Sequence, residues 1–114
     1  MPPRSQRHRL QDVLDCIDRI RSHTRGDLRA GLDDGVVRDA VLYNLMIVGE
    51  AVKHIEAEMK DLAEGVNWSG AAGLRDVLMH RYYRTDIEIV KSLDDELSRL
   101  RSGVESVLRH IGPD

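Results

Sequence analysis

Residues 34–52 read Asp34-Gly35-Val36-Val37-Arg38-Asp39-Ala40-Val41-Leu42-Tyr43-Asn44-Leu45-Met46-Ile47-Val48-Gly49-Glu50-Ala51-Val52, and this stretch decides the fold. Val37, Val41, Leu45, Val48, Val52, Ile55 and Met59 recur at three- and four-residue steps, which places them on one stripe of an α-helix. Val36, Ala40, Tyr43, Ile47 and Ala51 widen that stripe. A helix apolar over so much of its circumference needs cover on more than one side, so it is expected to be central. Asp34 is its expected N-cap, and the helix is expected to run to about Leu62. Glycine inside a helix costs about 1 kcal/mol relative to alanine. Gly49 therefore points to a close helix approach.

On the N-terminal side, Leu10, Val13, Leu14, Ile17 and Ile20 form the stripe of a first helix spanning about Ser5 to His23. Thr24 to Gly35 is rich in Gly and Asp and reads as a connection. On the C-terminal side, Glu64 to Asn67 reads as a loop. Asn67 or Ser69 can cap a shorter third helix that ends near Arg81. A fourth helix is expected from the caps Thr85-Asp86, with Ile87, Val90, Leu93, Leu97, Leu100, Val104, Val107 and Ile111 at seam spacing. The three prolines, Pro2, Pro3 and Pro113, lie outside these segments, phenylalanine is absent, and no stretch alternates apolar and polar residues for long. The expectation is one all-α domain over residues 1–114, a four- to five-helix bundle. Such long helices give one another limited cover in a short chain, so a homodimer burying part of the second or fourth helix is expected.

The 114 residues suit a single domain, and 41% apolar with 32% charged residues is an ordinary globular balance. No apolar run is long enough to cross a membrane. Met1 to Leu10 holds three arginines and a histidine with no apolar run after it, so a secretory leader is not expected and the expected compartment is the cytoplasm. Cys16 is the single cysteine, which excludes an internal disulfide, and its place beside the first stripe reads as core. A net charge of −3 argues against indiscriminate coating of nucleic acid, and neither a DNA nor a membrane partner is expected. Yet 14 of the 17 cations are arginines, which suit phosphate, and they cluster at Arg4, Arg7 and Arg9 and at Arg75, Arg81 and Arg84.

Chemistry has few carriers here. No glycine-rich phosphate loop is present, and the histidines at 8, 23, 54, 80 and 110 never fall at metal-ligand spacing with one another. No cofactor and no metal are expected. Glu50 and His54 are four apart, the spacing of an exposed helical ion pair. Trp68 reads as a packing anchor, and four aromatics in all are too few for a base-stacking platform.

One segment gathers the candidates: Gly73-Leu74-Arg75-Asp76-Val77-Leu78-Met79-His80-Arg81-Tyr82-Tyr83. Arginine, four residues, histidine, one residue and tyrosine resemble the signature of the HEPN superfamily in its HepT-like branch. Asp76 fits the polar residue that commonly follows the arginine there. Asn44-Leu45-Met46-Ile47-Val48-Gly49-Glu50-Ala51 is similar to the run in that branch's central helix, and Asn67-Trp68 leading to Arg75-Asp76 resembles its entry into the motif helix. The likeness covers nearly the whole chain. It implies a metal-independent endoribonuclease toxin, with Arg75 and His80 catalytic and Asp76 supporting. It also implies that Tyr82 is the target of a small nucleotidyltransferase antitoxin that attaches AMP, and that two protomers join their motifs in one cleft.

The residues themselves allow this chemistry. RNA carries its own nucleophile in the 2′-hydroxyl beside each phosphate. An imidazole can carry the proton near neutral pH, and a guanidinium can hold the phosphoryl oxygens. Positions 75 and 80 lie about 140° apart around a regular helix, so a shared site needs a distorted helix end or a second copy of the motif. Other readings stay open. Arg75 could pair with an acid while His80 caps the helix end. The domain could be a non-catalytic scaffold for a nucleotide or a nucleotidyltransferase, or a plain helical dimerisation module.

Overall fold

The computed structural model describes residues 5–80 and 87–112, with only the backbone described at residues 79 and 80. Four long helices form the frame: α1 (Gln6–Thr24), α3 (Gly35–Lys53), α5 (Trp68–His80) and α7 (Asp94–Ile111). Three short ones lie between them: α2 (Leu28–Gly31), α4 (Ala57–Lys60) and α6 (Ile87–Lys91), with a 3-10 turn over Asp61–Ala63. No strand occurs among the described residues. The all-α expectation holds, and none of the described helices is long and apolar enough to cross a membrane.

The helix starts follow local chemistry. Ser5 accepts a hydrogen bond from the His8 amide, Asp34 from those of Val36 and Val37, and Asn67 from that of Gly70. Asn67 rather than Ser69 therefore caps α5. At the end of α1 the chain turns through left-handed backbone at Arg25 (φ 53°) and Gly26 (φ 78°), returning amides to the last carbonyls of the helix.

Packing centres on α3, which lies against both α1 and α5, while α7 packs along α1. The cross-links set the directions. Gln6 meets the end of α3 at His54. Asp18 and Arg21 meet Arg101 and Ser98 of α7, and Arg7 donates to the Gly112 carbonyl at the end of that helix. Thus α1 runs antiparallel to both neighbours. Val41, Leu45, Val48 and Val52 are sealed between them, joined by Leu10, Val13, Ile17 and Ile20 from α1 and by Val104 and Val107 from α7. Cys16 lies in this core, and burial pushes its thiol above the ordinary value. Trp68 is buried, with its indole N–H donating to the Lys60 and Ala63 carbonyls, so it anchors α5 to the end of α4 and to the 3-10 turn.

Two expected helices are shorter than their apolar stripes. The central helix stops at Lys53 rather than near Leu62. His54 and Ile55 tighten to i−3 bonds on Ala51 and Val52, and Glu56 is extended. The Gln6 amide holds this break open: it donates to the His54 carbonyl at 3.1 Å and accepts from the Glu56 amide at 2.7 Å. The fourth helix divides into α6 and α7 at Ser92-Leu93. The Ser92 hydroxyl donates to the Ile89 carbonyl, and Asp94, Asp95 and Glu96 supply negative charge to the new N-terminus of α7. The stripe stays in phase across the division, since Val90, Leu97 and Leu100 are all buried. The Thr24–Gly35 connection also contains α2, capped by Asp27. The expected caps Thr85 and Asp86 lie outside the described residues.

Candidate functional site

Gly49 governs how α5 meets α3. A Cβ at this position would lie 2.6 Å from the Arg75 backbone nitrogen and 3.3 Å from the Ala71 carbonyl oxygen. The missing side chain lets the α5 backbone sit directly on the central helix at Arg75. This is the close approach that a glycine at position 49 implies.

The next residue along α3 then faces the arginine. Glu50 brings Oε2 to 3.4 Å from Arg75 Nε, and Asp76 brings Oδ1 to 3.6 Å from Nη1. Glu50 also reaches the expected partner one turn on, with Oε1 3.7 Å from His54 Nδ1. That imidazole nitrogen is 3.0 Å from the Glu50 carbonyl oxygen. The result is a surface cluster of Arg75, Glu50, Asp76 and His54 drawn from two helices. The Glu50–His54 pair was legible from its spacing, but the pairing of Glu50 with Arg75 was not. Only Gly49, immediately before Glu50, signals that a second helix arrives there.

Arg75 thus has acidic neighbours, and magnitude decides what they do. The Arg75 side chain is 42% exposed and that of Glu50 49%. Both separations exceed the 2.7–2.9 Å or so of a charge-assisted hydrogen bond. Exposed ion pairs contribute about 0.2–1 kcal/mol. These carboxylates flank the guanidinium without locking it.

The other candidates are distributed as follows. Residue 80 ends α5, which remains a regular α-helix from 68 to 80. Positions 75 and 80 therefore keep their separation of about 140° around one axis. Tyr82, with Arg81, Tyr83 and Arg84, lies outside the described residues. Of the N-terminal arginines, Arg7 is committed to the Gly112 carbonyl. Among the described residues no group of three or more His, Cys, Asp or Glu side chains is placed to hold a metal ion. A cavity of about 310 Å³ opens elsewhere, between residues 65–67, α5 and α7. Among the described residues its charged lining is Glu96 and Arg99, and it holds no histidine.

On the outer side of α3 a second seam leads to the cluster. Val36 is 81% exposed and Tyr43 64%, and both share their heptad position with Glu50. The broad apolar face is therefore covered along the stripe from Val41 to Val52, while the wider stripe is exposed at Val36 and Tyr43 and covered again at Ile47 and Ala51.

Comparison with known proteins agrees with the motif. Residues 13–107 match the family model described as "Ribonuclease HepT-like". A Thermococcus cleftensis protein named "Probable ribonuclease HepT" is 30% identical over 106 residues, covering 91% of this chain and 96% of that one. A protein of Caldanaerobacter subterraneus subsp. tengcongensis named "Putative RNase" is 30% identical over 103 residues, 90% of this chain and 89% of its own. Another protein with that designation, from Methanocaldococcus jannaschii, is 34% identical over 94 residues, 79% of this chain and 75% of its own. No solved structure matches the chain. With a helical frame built on the Gly49 contact, an arginine presented at that contact, and a family match over most of its length, the chain belongs to the HepT-like ribonuclease family.

Proposed function

We propose that the protein is a metal-independent endoribonuclease of HepT type, the toxin of a toxin–antitoxin pair, acting as a homodimer in the cytoplasm. The observation that carries this reading is Arg75, half-exposed at the α3–α5 contact and held by carboxylates too weakly to be consumed by them. In the reaction, an imidazole of His80 removes the proton of an RNA 2′-hydroxyl. The oxygen attacks the adjacent phosphorus and the bond to the 5′-oxygen breaks. The leaving oxygen takes a proton from a second His80 imidazolium, while Arg75 holds the charge on the phosphoryl oxygens. RNA supplies the nucleophile, so no metal is needed to generate one. Positioned proton transfer is worth about 10² to 10⁴ in rate.

Two protomers provide both imidazoles. The regularity of α5 supports this, because a distorted helix between 75 and 80 is the alternative way to bring the two side chains together. The exposed Val36–Tyr43 seam supports a dimer on the same side of α3 as the cluster. Tyr82 is the regulatory group: a partner nucleotidyltransferase transfers AMP from ATP to its phenolic oxygen and releases pyrophosphate. The added phosphate then occupies the place of RNA beside Arg75.

Cleavage assays with wild type, Arg75→Ala and His80→Ala test the enzyme reading. Wild type should cut RNA equally with and without EDTA, and both variants should lose cleavage while keeping their helicity. Activity that EDTA abolishes, or that survives His80→Ala, refutes the mechanism.

A further inference from the structure

We infer that Glu50 is the positioning residue for Arg75, an assignment that rests on the nuclease reading above. Gly49 fixes where the Arg75 backbone sits, but a long guanidinium side chain still has to be aimed. Glu50 is the next residue, and its carboxylate lies at that same contact. One oxygen faces Arg75 Nε at 3.4 Å and the other faces His54 Nδ1 at 3.7 Å.

The carboxylate is braced from behind. His54 Nδ1 also sits 3.0 Å from the Glu50 carbonyl oxygen, and the backbone at His54 and Glu56 is pinned by the Gln6 amide. Engaging Nε leaves the two terminal nitrogens of Arg75 as an open fork. Asp76 stands only loosely against one of them, at 3.6 Å, with its side chain 57% exposed. A phosphate meeting this fork displaces Asp76 and leaves Glu50 in place.

A carboxylate beside a phosphate-binding arginine also repels the polyanion. The two consequences act on different kinetic constants: aiming Arg75 raises kcat, while the negative charge raises KM. Misplacing a catalytic group by about 1 Å can cost on the order of 100-fold in rate. Glu50→Ala should therefore lower kcat roughly ten- to a hundred-fold. Its KM for RNA should be unchanged or lower. Glu50→Gln keeps an oxygen for Nε without the charge, so it should recover most of kcat, with a KM likewise unchanged or lower.

The experiment measures kcat and KM on one RNA for wild type, both Glu50 variants and Arg75→Ala, with melting temperatures alongside. Because its ion pairs are half-exposed and contribute at most about 1 kcal/mol each, both Glu50 variants should melt within a few degrees of wild type and stay folded at the assay temperature. Wild-type kcat in Glu50→Ala, equal kcat losses in both Glu50 variants, or a loss that tracks melting overturns the assignment. If Arg75→Ala is inactive while Glu50→Ala matches wild type, the role of Glu50 alone fails. If Arg75→Ala retains wild-type kcat, the nuclease reading fails with it.

Discussion

Replacing Gly49 with alanine tests the helix contact on which the site depends. The new Cβ would stand 2.6 Å from the Arg75 nitrogen, 3.2 Å from the Arg75 Cβ and 3.3 Å from the Ala71 oxygen. Two of these atoms are backbone, so no rotamer change can relieve the overlap. Reaching ordinary contact requires α5 to move off α3 by about 1 Å at the crossing. Overpacking of this kind costs typically 1–3 kcal/mol, and an unyielding obstacle places it in the upper half of that range. Alanine returns about 1 kcal/mol of helix propensity. The net expectation is a loss of about 1–2 kcal/mol, or roughly 4–10 °C in melting temperature for a domain of this size. Gly73→Ala is the matched control on α5, because a Cβ there meets nothing within 4 Å. Gly73→Ala should melt at or above wild type. Thermal unfolding followed by circular dichroism compares the two. If Gly49→Ala is stabilised as much as Gly73→Ala, the close approach at Arg75 is not a feature of the folded protein. RNA cleavage well below the melting range should also fall in Gly49→Ala, since the displacement carries Arg75 away from Glu50.

Two further outcomes follow from other contacts. Asp18 accepts a fork from Arg101 Nε and Nη2 across α1 and α7, and this hydrogen bond holds its carboxyl below the usual range. A depressed folded-state pKa stabilises the fold above the unfolded value of about 3.9. That contribution is lost as pH falls through the folded value, so Asp18→Asn should flatten the decline of urea midpoints measured from pH 6 to pH 2.5. An unchanged slope would show that the fork does not persist in solution. Gln6→Ala removes both partners of the break after α3 and should destabilise by about 1–3 kcal/mol, read from urea midpoints at pH 7. If the variant instead matches wild type, water or a continued helix satisfies His54 and Glu56.

Much of the frame is written locally. The side chains of Ser5, Asp34 and Asn67 complete their hydrogen bonds within three residues, so three helix starts can be read without knowing the fold. The stripe from Val37 to Val52 is likewise local, and α1 has the same property. Gly49 announced a close contact because its cost in a helix requires a compensating reason. Arg75 and His80 stood out through their resemblance to a known motif, and their angular separation follows from helix geometry alone.

The breaks could not be read from periodicity. Ile55 stays buried beyond the end of α3, and Val90 and Leu97 stay buried on either side of Ser92-Leu93. A stripe in phase across a break looks like one helix. For the second break, Ser92-Leu93 followed by Asp94, Asp95 and Glu96 was a usable local signal of a new N-terminus. For the first, the deciding group is the Gln6 amide, 48 residues from His54 in the chain. The aim of Arg75 is of the same kind, since Glu50 reaches it only after α5 has docked on Gly49. Sequence by itself therefore determined where helices can begin, which faces they bury and which residues carry the candidate chemistry, because those depend on side chains within one or two turns. Tertiary structure decided where the central helix stops and which carboxylate meets the arginine, because those hydrogen bonds and ion pairs join groups that only folding brings within reach.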